Sequence, residues 1–121
     1  MSSAVLVVSE SAESAAALGA MLEANHWRVH QARSCGDAVA FLGRARICVV
    51  VCEPCLPDGN WRDMLRYTSH APDGPALIVT SNAGDEALWA EVLNLGGYDV
   101  LAQPFDQNEL ARVITSAGRT R

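Results

Sequence analysis

The sequence predicts an α/β fold, a doubly wound, five-stranded parallel sheet with five helices, on three observations. Short apolar runs alternate five times with segments of helical periodicity. The most apolar run, Ile47 to Val51, is continuous rather than alternating, as in a strand buried on both faces. Connections between such strands are right-handed crossovers, which makes the sheet parallel and places helices on both of its faces. The 121 residues form one domain by size, large enough to bury a core without disulfide or metal staples.

The first strand is Ala4 to Val8, a β-branched apolar run ending in Ser9 and Glu10. Ala15, Leu18 and Leu22 then recur at helical spacing between about Ser11 and Asn25, with Glu13 in the first turn where the helix dipole favours an acid. Trp27 to Gln31 alternates weakly and suits an edge strand with one partly wet face. Ser34 and Asp37 open the second helix, which carries Ala38, Phe41 and Leu42. The third strand, from Ile47, passes through Cys52 and delivers Glu53 to its carboxyl end. Pro54, Pro57 and Gly59 cannot continue a central strand, so the chain turns there.

Asn60 and Asp63 open the helix of Trp61, Met64 and Leu65, and Asn82 and Asp85 open that of Leu88, Val92 and Leu95. Ala76 to Thr80 and Tyr98 to Ala102 are the fourth and fifth strands, preceded by the turn signals Asp73-Gly74-Pro75 and Gly96-Gly97. Asp106 and Glu109 open the last helix, whose stripe is Leu110, Val113, Ile114 and Ala117, with Phe105 placed to staple onto Leu110. Ser116 to Arg121 is polar, and the residues after about 117 suit the start of a linker to an effector domain.

Ligands of open parallel sheets bind at the carboxyl ends of the strands. Ser9, Glu10, Glu53, Thr80, Ser81 and the Ala102-Gln103-Pro104 turn therefore meet there and form the candidate site. The formal charge of -5, with no basic run, excludes a nucleic-acid surface in this segment. The first apolar run is too short for a signal peptide or membrane span, so a cytoplasmic location follows as the default. Cys35, Cys48, Cys52 and Cys55 are then reduced thiols with no disulfide-framework spacing. Cys52 and Cys55 make a C-x-x-C, and a thiol or metal sensor is one rival function; a strand Cys52 beside Glu53 points instead to the opposite face and the core.

The order of Leu56-Pro57-Asp58-Gly59, Thr80-Ser81 and Gln103-Pro104-Phe105 along nearly the whole chain resembles the receiver domain of response regulators in two-component signalling. The resemblance implies a flavodoxin-like, CheY-like sheet of strand order 2-1-3-4-5. It also implies an acidic pair after strand one that holds Mg²⁺, a phospho-accepting Asp after strand three, a Thr or Ser after strand four, and a Lys-Pro pair after strand five. Counted onto this chain, the acceptor position is Glu53, the acidic pair is Ser9 and Glu10, the lysine position is Gln103, the aromatic switch position is Val100, and Thr80 alone is unaltered.

Each departure has a physical meaning. Phosphoryl transfer to a carboxylate depends on in-line positioning and neutralised charge. Glu53 carries its oxygens about 1.3–1.5 Å further than Asp, an estimate from ordinary bond reach, and misplacement of that order costs ~10²-fold. Ser9 removes an acidic ligand, which leaves Glu10 and Glu53 as weak Mg²⁺ donors at most. Gln103 supplies no charge, though its amide can donate to Glu53. The expectation is a degenerate receiver, not an enzyme, without a cofactor of its own, working by protein contact with a partner, a linked effector domain or a second copy. The resemblance puts that contact on the fourth helix, fifth strand and fifth helix, with Trp89, Val92, Tyr98 and Phe105 as its residues. A Glu53 that permanently mimics the phosphorylated residue and a merely solvated rim carboxylate both remain open, and so does a working acceptor at Glu53 or Asp58.

Overall fold

The computed structural model describes residues 4–70, 74–82 and 85–119. Asp73, Thr120 and Arg121, named above, lie outside the described residues. In chain order the elements are β1 (Ala4–Val8), α1 (Ala12–Glu23), β2 (Arg28–Ala32), α2 (Cys35–Leu42), β3 (Val49–Cys52), β4 (Cys55–Leu56), β5 (Gly59–Asn60), α3 (Trp61–His70), β6 (Ala76–Asn82), α4 (Glu86–Leu95), β7 (Asp99–Gln103) and α5 (Gln107–Arg119). Five strands form one sheet in the order β2-β1-β3-β6-β7, all parallel. That is the expected doubly wound order, with β4 and β5 standing outside it as a two-residue antiparallel hairpin.

β1 and β3 are buried at every residue, as continuous apolar runs in a sheet covered on both sides must be. Alternation along them divides the interior in two. Leu6, Val8, Val50, Cys52, Leu77 and Val79 face Ala38 of α2, Met64 and Leu65 of α3, and Val92 of α4. Val5, Val7, Val49, Val51 and Ile78 face Leu18 and Leu22 of α1 and Leu110, Val113 and Ile114 of α5. Phe105 packs against this second cluster, which contains its expected staple partner Leu110.

Helix starts follow the local punctuation. Ser11 accepts from the Ser14 N–H and Ser34 from the Asp37 N–H, each at 3.1 Å. Asn60 and Asp63 form a reciprocal pair before α3: Asn60 Oδ1 accepts from Asp63 N–H at 3.2 Å, and Asp63 Oδ2 accepts from Asn60 N–H at 2.9 Å. Asp106 Oδ1 accepts from the Asn108 and Glu109 N–H groups. Asn82 does not open α4, as the sequence pattern suggested. It belongs to β6, which runs two residues past Thr80, and Asp85 is the cap, accepting from Leu88 N–H at 3.1 Å. Gly96 closes α4 at φ 109°, the left-handed conformation glycine adopts freely.

α4 departs from the expected stripe of Leu88, Val92 and Leu95. Val92 alone is fully buried, Leu88 is half-buried and Leu95 is 53% exposed. Gly97 makes the tight seat for Val92: a Cβ there would stand 2.4 Å from Val92 Cγ1. β2 also lies one residue later than expected, and both its sides are partly covered. Val29 packs on the α1/α5 cluster, and the His30 ring lies 5.1 Å from that of Phe41.

Candidate functional site

The register brings the rim residues level. Val8, Cys52 and Val79 are paired across β1, β3 and β6, so Ser9, Glu53 and Thr80 follow side by side. The pairing runs on one step, with Glu53 N–H donating to Val8 C=O at 3.2 Å and Ser9 N–H to Ala32 C=O at 2.9 Å. Asn82 pairs with Gln103, which sets Gln103 further along the same rim. The Gln103–Pro104 peptide is cis.

Glu53 is half-buried, and its Oε1 accepts from the backbone N–H of Glu10 at 3.1 Å. The carboxylate therefore grips the loop between β1 and α1, which differs from the bond to the Gln103 amide that the sequence allowed. Ser9 turns its hydroxyl back onto that same loop: Oγ donates to Ser11 C=O at 3.1 Å and accepts from Ser11 N–H at 3.2 Å. The Glu10 side chain is exposed. Arg33, immediately after β2, reaches the next peptide of the same loop, its Nη2 donating to Glu10 C=O at 3.3 Å. Nothing in the sequence pattern singled out Arg33, because its partner is a main-chain oxygen distant in sequence. Among the described residues, no three His, Cys, Asp or Glu side chains converge in a way that could hold a metal ion.

Below Glu53 lies a cavity of about 20 Å³, room for about one water. Ser9, Ser14, Glu53, Thr80 and Gln103 supply its polar lining, and Val7, Leu18, Val51 and Phe105 are among its apolar walls. Thr80 and Ser81 are buried. Val100, at the position where the resemblance implies an aromatic switch, packs partly buried against the α2/α3/α4 core.

Asp58 lies apart from this cavity. Its carboxylate caps α2, accepting from Cys35 N–H at 2.8 Å and Gly36 N–H at 3.0 Å. Those bonds, Gly36 first and Cys35 second, hold its pKa below the usual carboxylate range. Asp58 is thereby committed to the hairpin's contact with α2. The C-x-x-C is likewise split. Cys52, at the end of β3, is fully buried, whereas Cys55, on β4 outside the main sheet, is exposed. Burial chiefly, with Cys35 and Glu53 adding to it, pushes the Cys52 thiol far up. Burial and the neighbouring Asp58 push Cys35 up to about 11. Neither thiol has the depressed pKa of a reactive cysteine.

Of the residues expected at a partner surface, Trp89 is 50% exposed. Val92 is a correction: it is the buried anchor of α4 and presents nothing to solvent. Tyr98 and Phe105 are half-buried, and the Tyr98 hydroxyl lies 2.6 Å from Ser116 Oγ, joining the residue before β7 to α5. No helix among the described residues is long and apolar enough to cross a membrane.

The family model described as the response regulator receiver domain matches residues 5–115. The chain is 35% identical over 94 residues to the DNA-binding transcriptional activator DevR/DosR of Mycobacterium tuberculosis, a match covering 77% of this chain and 43% of the relative. The chain thus spans less than half the length of that curated relative. A receiver domain protein from Clostridium thermocellum superimposes with a TM-score of 0.86 at 21% identity, covering 98% of this chain and 95% of that one. The beryllofluoride-activated NtrC4 receiver domain dimer gives 0.86 at 23% identity, covering 98% of each chain.

Proposed function

Because the chain belongs to the response regulator receiver family, we propose that it is a pseudo-receiver: a signalling domain that acts through protein contact, without phosphorylation at the acceptor position and without enzymatic turnover. The observation that carries this reading is the use of the Glu53 carboxylate to hold the Glu10 backbone N–H at 3.1 Å. An acceptor needs an oxygen presented to the phosphoryl donor with charge neutralised around it. Here one carboxylate oxygen serves a loop, Ser9 bonds Ser11, and the lysine position is the neutral Gln103.

The donor set does not fit Mg²⁺, which wants near-ideal octahedral oxygen coordination. Among the described residues, Glu10 and Glu53 are the carboxylates offered at the rim, and the hydroxyl of Ser9 is turned away onto Ser11. No step of the proposed function passes through a metal. By likeness to DevR/DosR, described as a DNA-binding transcriptional activator, the output would be transcription, delivered by a linked effector domain and not by this acidic segment. The exposed Trp89 is the anchor offered to that effector, a protein partner or a second copy.

Intact mass after incubation with acetyl phosphate and Mg²⁺ tests the reading, with the triple variant Ser9→Asp, Glu53→Asp, Gln103→Lys as a control for the scaffold. The native chain is expected to keep its mass while the variant gains a phosphoryl group. A phosphoryl gain on the native chain overturns the proposal.

A further inference from the structure

Charge is divided across the sheet. β2 and β7 are its outer strands, and the segments that build those two edges carry opposite sign. From residue 24 to residue 52, through β2, α2 and β3, Arg28, Arg33, Arg44 and Arg46 stand against Asp37 as the sole acid. From residue 85 to residue 112, through α4, β7 and the first turns of α5, Asp85, Glu86, Glu91, Asp99, Asp106 and Glu109 stand against Arg112 as the sole base. Arg62 of α3 pairs with Glu91 and offsets it. Asp85, Asp99 and Asp106 accept from backbone N–H groups, which leaves their charge in place. Asp85, Glu86, Asp106 and Glu109 are exposed, and so are the four arginines of the opposite edge. A chain of net charge -5 thus has a positive edge as well as a negative one.

Each edge also carries an aromatic group. Trp89 of α4 is 50% exposed on the acidic side. On the basic side the Arg44 guanidinium lies 5.0 Å from the centre of the Phe41 ring, which packs in turn against His30 of β2. We propose that the two edges are the halves of one contact between copies of this chain: the α4/β7 edge of one copy seats on the β2/α2 edge of the next, with Trp89 against Arg44. An exposed indole brought there would offer the guanidinium a second ring face. The edges lie at opposite ends of one sheet and cannot meet within a molecule, so the contact is heterologous and repeats head to tail. A contact of the α4/β7 edge with itself would set acid against acid. Opposed charge speeds encounter and fixes orientation more than it adds affinity, and salt screens exposed groups, so the association is weak and strengthens as salt falls. The inference rests on the reading of Trp89 as a contact residue and deepens it, naming a second copy as the partner and the Arg44 edge as its seat.

Sedimentation velocity of the full 121-residue chain over a concentration series tests it. The weight-average mass is expected to rise above the 12.9 kDa of one chain at low salt, and to return to it at ~1 M salt, where the screening length is about 3 Å. Arg44→Glu and Glu86→Arg each spoil one edge and leave the other whole. Each variant is expected to stay monomeric alone, and an equal mixture to form a 1:1 dimer that grows no further, because one compatible pair of edges remains. Circular dichroism checks the fold of each, and Trp89→Ala is the second acidic-edge variant, expected to weaken the native association on the order of tenfold. A native chain that stays monomeric at low salt, an association that Arg44→Glu leaves intact, or a mixture of folded variants that stays monomeric overturns the proposal. Acetyl phosphate and Mg²⁺ keep it separate from the proposed function: a chain that is monomeric and unmodified overturns the self-contact alone, and one that gains a phosphoryl group overturns the proposed function.

Discussion

Glu53 and Asp58 flank one turn, and each carboxylate has a backbone to hold: Glu53 the loop before α1, Asp58 the first turn of α2. Their sequence signals differ in kind. Glu53 follows a continuous apolar strand, so its place at the rim was legible from the run that precedes it. Asp58 reads as part of a turn signature, because its partners Cys35 and Gly36 lie on a helix distant in sequence and nothing local marks them. The Asp58 pKa is lowered in the folded chain, so its contribution to stability is fully present above its unfolded value of about 3.9 and is lost as pH falls through the lower folded value. Asp58→Ala should therefore lower the urea midpoint at neutral pH. The gap to the native chain should close as acid protonates Asp58, and a gap of constant size down to about pH 2 would assign the effect to packing instead.

Of the last two helices, α4 is held far less firmly than α5. α5 buries Leu110, Val113, Ile114 and Ala117, whereas α4 buries Val92 alone. The α5 stripe was plain in the sequence because its apolar and polar residues separate cleanly around the helix. α4 misled because Leu88, Val92 and Leu95 have the spacing of a buried face, yet Leu95 sits in the last turn before the Gly96 reversal and ends in solvent. Asn82 misled for a related reason: it and Asp85 both match a helix-start pattern, and the length of β6 decides between them. The β4/β5 hairpin has two-residue strands, too short for any periodicity to show. Val92→Ala should cost about 1–3 kcal/mol in urea unfolding, while Trp89→Ala should stay within about 0.5 kcal/mol. Amides of α4 are expected to exchange with deuterium before those of α5, and the reverse order would refute this ranking of the two helices.

At the scale of the molecule, the parallel sheet separates two apolar clusters that share no side chain. Both were legible, since continuous apolar strands alternating with helices admit few other arrangements. What the sequence concealed is how the rim is wired, because its bonds run from side chains to main chain across large separations. Ile47→Val, in the cluster under α2 and α3, and Ile114→Val, in the cluster under α1 and α5, should each cost about 0.5–1.5 kcal/mol. Lying on opposite faces, they should add to within about 0.5 kcal/mol in the double variant, with a single unfolding transition. A larger coupling would mean that the strands transmit packing changes from one face to the other.

Glu53 and Arg33 take hold of the Glu10 amide N–H and carbonyl, groups that nearly every residue carries. Position 10 is thus free to drift during descent, through any residue but proline, while the arrangement persists unchanged. Kinship in this trait would be written at positions 33 and 53, in a basic residue and a long acid that vary together, and position 10 itself would bear no trace of it.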